Sequence, residues 1–252
     1  MKKSRYLHRD LSWLSFNYRI LEEALDPSVP LYDKIKFLAI WSSNLDEFFR
    51  VRVASMQRLS LIRKKKIRKE LEFKPKKILR KVLKTVEKQQ LEYGRILTTS
   101  ILPALRKENI ILVWNKRLNK TQRKALDNYF RSRVLSYLQP VFIEKSRKSS
   151  LFLENRKLYL AVRLIRNEDD GQAGPVYAYL NIPSDHLPRF SYLHFRSKHY
   201  YIFLDDLIRS NLDIVFPGYR VIDAYAIKLN RDADLNIEDE FNGVIVEGQF
   251  SG

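Results

Sequence analysis

Ile110-Ile-Leu-Val113 sets four apolar residues in a row, three of them β-branched, and the pattern of the chain changes there. A run of that length and composition suits a short strand better than a helix. On its N-terminal side the apolar residues follow helical spacing. Leu11, Leu14, Tyr18, Leu21 and Leu25 recur at steps of three and four, with Asp10 as the expected N-cap. Pro27 and Pro30 end that stripe. A second pattern starts near Leu31 and runs through Ile35, Leu38, Leu45, Phe49, Met56 and Leu59 into Arg63-Lys-Lys-Lys66, which is long for one helix. Pro75 suits the first turn of a third helix carrying Ile78, Val82, Val86, Ile96 and Leu97, with Gly94 and Pro103 expected to disturb its later turns.

On the C-terminal side, Asn119 and Gln122 have the spacing of a capping box, and the helix they start should stop at Pro140. Leu158, Leu160, Val162 and Leu164 then alternate at period two. Further strands are expected over Pro175 to Ile182, Tyr200 to Leu204 and Val221 to Leu229, with a helix from Asp205 to about Phe216. The fold class is therefore α+β: a helical bundle over residues 1-107, followed by a mixed α/β domain over residues 108-252. Strand order does not follow from the pattern.

Composition narrows the chemistry. Hydrophobic residues make up 45% of the 252 and aromatic residues 12%, too apolar for a disordered polyelectrolyte. The absence of cysteine excludes disulfides, thiolate metal sites and a cysteine nucleophile. Seven glycines form neither a P-loop nor a GxGxxG turn, and the four histidines, His8, His186, His194 and His199, show no metal-ligand spacing. Each histidine reads as structural or exposed; one could accept a phosphoryl group in principle, but the sequence places no base, metal or arginine clamp around it. No apolar run approaches membrane-spanning length, so a soluble chain is expected, and the absence of cysteine sits comfortably with a reducing cytoplasm.

The formal net charge of +18 points to polyanions as partners: nucleic acid, anionic lipid or inorganic polyphosphate. The densest basic region runs from Arg58 through Arg63, Lys64, Lys65, Lys66, Arg68 and Lys69, then Lys74, Lys76, Lys77, Arg80, Lys81 and Lys84. It reads either as a solvated helix face or as an electrostatic funnel for a phosphate chain.

Phe37-Leu-Ala-Ile-Trp-Ser-Ser-Asn-Leu-Asp-Glu-Phe-Phe49 is the most unusual segment, because Ser42, Ser43 and Asn44 compete for backbone hydrogen bonds inside a helical pattern. On a helix, Phe37, Trp41, Asn44 and Phe48 share one face. Flat rings beside a carboxamide could stack on a nucleobase and pair with a purine edge. The same stripe is more often the pattern of a packing core with its Asn bonded to backbone. Asp46 and Glu47 point about a quarter-turn apart and read as salt-bridge partners, for Arg50 or Arg52, rather than as an acid/base pair.

Taken together, Asp10-Leu-Ser-Trp-Leu-Ser-Phe-Asn17, Asp26-Pro-Ser-Val-Pro-Leu31, Lys36-Phe-Leu-Ala-Ile40 and Ser42-Ser-Asn-Leu-Asp-Glu-Phe-Phe-Arg-Val-Arg52 closely resemble the opening of the bacterial polyphosphate kinase family. Ile182-Pro-Ser-Asp-His-Leu-Pro-Arg-Phe190 and Asp223-Ala-Tyr-Ala-Ile-Lys-Leu-Asn-Arg-Asp-Ala233 resemble its second domain. The resemblance implies a helical N-terminal domain and a head domain used in dimerisation. It further implies a parent enzyme, cytoplasmic or membrane-associated, that reversibly moves the terminal phosphate of ATP onto inorganic polyphosphate through a phosphohistidine, with Mg2+. The implied partners are ATP or ADP, polyphosphate, a second copy of the chain as homodimer or higher oligomer, and downstream catalytic domains; nucleic acid is not among them.

The family's nucleotide-contacting asparagine falls on Asn44, and Phe37 on the same face is the second candidate. Its catalytic histidines, phosphate-clamping arginines and magnesium ligands belong to the C-terminal half, so no residue here inherits them and the chain alone should be inactive. The likeness fades after Ala233, as it would in a chain cut short, the alternative being a natural short homologue without the catalytic half. The rival reading is a basic module that binds nucleic acid or another polyanion without catalysis.

Overall fold

The helical spacing before Ile110 and the period-two spacing after Leu158 both appear in the computed structural model, which describes residues 8–62, 73–113, 118–143, 153–167 and 174–229. The fold is α+β. Two compact units are distinguished, one reaching Ala104 and one from Leu105 to Leu229.

In the first unit, α1 (Arg9–Leu25), α2 (Leu31–Phe48), α3 (Ala54–Leu61) and α4 (Pro75–Ile96) carry the expected stripes. Leu14, Leu21 and Ala24 of α1 are fully buried, and Leu38, Trp41, Leu45 and Phe48 of α2 nearly so. Val82, Val86 and Ile96 turn the inner face of α4 to the same core. The long second pattern is helical through Leu61 because one wide π-helical turn, Phe49–Val53, joins α2 to α3; there the Ala54 N–H reaches back five residues to the Phe49 carbonyl. A second wide turn, Leu97–Ile101, joins α4 to α5 (Leu102–Lys107). Gly94 leaves α4 unbroken. The widening comes after it, next to Pro103, whose ring nitrogen cannot supply a helical N–H.

Asp10 does not cap α1. His8 does, its Nδ1 accepting the Asp10 N–H at 3.4 Å, while the Asp10 side chain sits buried in the first turn. Of the basic region, Arg63 to Lys69 lies outside the described residues; Lys76, Lys77, Arg80, Lys81 and Lys84 lie exposed on α4, with Lys74 at its N-cap.

In the second unit, β1 (Ile110–Val113) pairs in parallel with β6 (Lys198–Phe203), which pairs antiparallel with β5 (Phe190–Phe195). A four-stranded antiparallel sheet has the order β2 (Val141–Ile143), β4 (Val176–Asn181), β3 (Leu158–Arg166), β7 (Tyr219–Lys228), with the β3–β7 register shifting at Arg163/Leu164. The buried alternation of Leu160, Val162 and Leu164 with Ala178 and Leu180 faces α6 (Lys120–Tyr129) and the short helices α7 (Leu204–Arg209) and α8 (Leu212–Val215).

Asn119 and Gln122 close a complete capping box, at 2.9 and 3.0 Å. Beyond Tyr129 the helix loosens through π and 3-10 turns to Tyr137, shortly before Pro140. The helix expected from Asp205 to Phe216 is broken at Ser210–Asn211, where the Asn211 amide donates to the Leu207 carbonyl at 2.9 Å. Strands β2 and β5 were not anticipated.

Candidate functional site

Helix α2 holds Phe37 and Asn44 partly exposed, beside a row of buried side chains. At seven residues apart they stand two helical turns, roughly 10 Å, from each other on one face. The other two rings of that face are core. Trp41 stacks on Tyr93 of α4, with centroids 5.2 Å apart, and Phe48 stacks on Trp13 of α1 at 4.5 Å. Burial pushes the Tyr93 phenol above its ordinary value. The aromatic face thus divides: Trp41 and Phe48 hold the bundle together, which leaves Phe37 as the ring that a ligand beside Asn44 could meet.

Asn44 is held from below. Its Nδ2 donates to Oδ1 of Asn17 at 3.0 Å, and Asn17 Nδ2 donates to the backbone carbonyl of Trp41 at 3.3 Å. Asn17 has no exposed surface at all. The sequence signal for Asn17 is its place on the apolar stripe Leu14, Asn17, Leu21, Ala24, where a carboxamide has to find partners inside the bundle. The contact uses one N–H of Asn44. The carboxamide has in addition a second N–H and an oxygen, one donor and one acceptor.

Other polar groups brace the helices. Gln89 of α4 donates to the Leu14 carbonyl at 3.0 Å, and Arg52 Nε donates to the buried Asp10 carboxylate at 2.8 Å. Glu47 pairs with Arg50 through two hydrogen bonds, as a salt-bridge reading predicts, while Arg52 serves Asp10 instead. Two hydrogen bonds from Arg95 hold the Glu92 carboxyl below its ordinary value.

His8 lies beside the Asp10 carboxylate, its Nδ1 3.4 Å away, and the other three histidines belong to the second unit. His186 stacks on Tyr137, and His194 and His199 stack on each other across the β5–β6 hairpin at 5.1 Å, with Tyr192 Oη 2.8 Å from His199 Nδ1. Among the described residues no group of three or more His, Cys, Asp or Glu side chains could hold a metal ion. Nor, among them, is any helix long and apolar enough to cross a membrane.

Comparison with known proteins gives these residues a context. Residues 6–113 match the polyphosphate kinase N-terminal domain, and residues 121–247 match the polyphosphate kinase middle domain. Polyphosphate kinases of Vibrio parahaemolyticus and Yersinia pestis are each 34% identical, over 98% and 96% of this chain, and the chain spans 35% of the length of each. The crystal structure of polyphosphate kinase from Porphyromonas gingivalis is similar with a TM-score of 0.80 at 41% identity, covering 94% of this chain and 35% of that one. With both domains matched in order and the fold shared along nearly its whole length, the chain belongs to the polyphosphate kinase family.

Proposed function

We propose that the chain is the N-terminal and middle part of an enzyme that reversibly transfers the terminal phosphate of ATP to inorganic polyphosphate through a phosphohistidine, with Mg2+. The observation that carries this reading is the match of two consecutive polyphosphate kinase domains in a chain about a third as long as its relatives. The catalytic histidine and the metal ligands belong, in this reading, to the remaining length. Residues 1-107 contribute part of the nucleotide pocket. Residues 108-252 form a head that dimerises and faces polyphosphate.

Within the first unit, Asn44 contacts the adenine and Phe37 stacks beside it. What supports this is a half-buried carboxamide braced by Asn17, with an aromatic ring two turns away on the same face. The exposed lysines and arginines of α4 raise the local concentration of polyphosphate without having to bind any one phosphate.

Steady-state kinetics of the complete enzyme test the assignment. Asn44→Ala should raise the KM for ATP by roughly tenfold and leave kcat nearly unchanged, because the lost hydrogen bonds lie far from the phosphate being transferred. Unchanged ATP kinetics would remove Asn44 from the site.

A further inference from the structure

A carboxamide turned by half a revolution exchanges donor for acceptor at nearly the same positions, and the terminal torsion of an asparagine permits the turn. An unrestrained Asn could therefore pair with a 6-amino purine in one orientation and a 6-oxo purine in the other. Asn44 is restrained. The Trp41 carbonyl can only accept, so Asn17 must present its Nδ2 to it, at 3.3 Å. That choice aims Asn17 Oδ1 at Asn44, which must answer with an N–H, at 3.0 Å. Turning either amide over would set two acceptor oxygens against each other. Asn17 is wholly buried, so water cannot relieve the clash. The native order should be favoured by roughly ten- to a hundredfold.

We infer that Asn17 is a positioning residue for base specificity: it transmits the polarity of the Trp41 carbonyl to Asn44, so that the nucleotide site accepts 6-amino purines and rejects 6-oxo purines. The inference rests on the reading of Asn44 as the adenine contact. Asn17 itself touches no ligand.

The test compares kcat/KM for ATP with that for ITP, which differs at the 6-position, in the complete enzyme. The wild type should prefer ATP, and Asn17→Ala should reduce that preference by roughly tenfold, through KM rather than kcat. Asn17→Asp should retain it. A carboxyl buried in that seat is neutralised, so its hydroxyl can donate to the Trp41 carbonyl while its other oxygen accepts from Asn44. A preference unchanged in Asn17→Ala, lost equally in both variants, or absent from the wild type overturns the inference.

If Asn44→Ala raises KM for ATP while Asn17→Ala keeps the preference, only the positioning role falls. If Asn44→Ala has no effect, the adenine contact falls first. Should Asn17→Ala not fold, the side-chain amide resonances of Asn44 in the 15N-labelled wild-type chain carry the decision. One proton protected from solvent exchange before nucleotide is added supports the lock, and two protons exchanging alike overturn it.

Discussion

The indole of Trp13 lies against the ring of Phe48 with centroids 4.5 Å apart and planes 7° from parallel, fastening the end of α2 to α1. Phe48 is 3% exposed and stands one turn beyond Asn44. Its removal would open a ring-sized cavity under the wide turn that begins at Phe49. Phe48→Ala is expected to destabilise the first unit by about 3–5 kcal/mol, read as a lower urea midpoint. A change under about 1 kcal/mol would mean that the stack is incidental.

Arg52 and Asp10 form a lopsided pair, since the Arg52 side chain keeps 32% of its surface in water and that of Asp10 only 4%. The loss of Arg52 leaves a buried carboxylate without its main counter-charge, a worse state than having neither group. Arg52→Met should therefore cost about 2–3 kcal/mol, and adding Asp10→Asn should return part of it. Equilibrium unfolding of the two single variants and the double variant decides this. Additive losses would deny the coupling.

The helices were legible because their buried positions repeat with little interruption, as Leu14, Leu21 and Ala24 illustrate. Their ends were less so. Asp10 has the chemistry of an N-cap, but its carboxylate is claimed by Arg52, forty-two residues away, a contact no local pattern announces. Strand β2 is three residues long with every side chain exposed, and β5 mixes aromatic and polar residues on both faces. Neither carries the alternation that marked β3. At the candidate site, the pattern gathered Phe37, Trp41, Asn44 and Phe48 on one face but could not say which rings neighbouring helices cover. Tyr93 and Trp13 make that division, and they come from elsewhere in the chain.

Asp206 offers a test of stability against pH. Burial, and then the adjacent Asp205, push its carboxyl above the ordinary value of 3.8, outweighing the pull of Arg209 and Arg189. The folded state thus binds this proton more tightly than the unfolded state does. Its contribution to stability is complete below 3.8 and is lost as pH rises through the raised value. Asp206→Asn, uncharged throughout, is expected to raise Tm by roughly 2 °C at pH 7 and to lose that advantage in acid. A lower Tm at pH 7 would show that the 2.9 Å pair with Arg209 outweighs desolvation.

A histidine that accepts a phosphoryl group needs an accessible ring nitrogen, together with cations placed to neutralise the incoming oxygens. His199 has Nδ1 engaged with Tyr192, and His194 lies against the same imidazole. His186 faces the ring of Tyr137. His186 and His194 are exposed and His199 is half-buried, so ring stacking rather than inaccessibility is what these contacts show. Incubated with ATP labelled at the γ-phosphate and Mg2+, the chain should give neither acid-precipitable polymer nor alkali-stable phosphate on His186, His194 or His199. The complete enzyme, treated alike, should give both a polymer and a phosphohistidine. Label on any of these three histidines in the isolated chain would move the chemistry into the domains described here and overturn the division of labour proposed for the family's two halves.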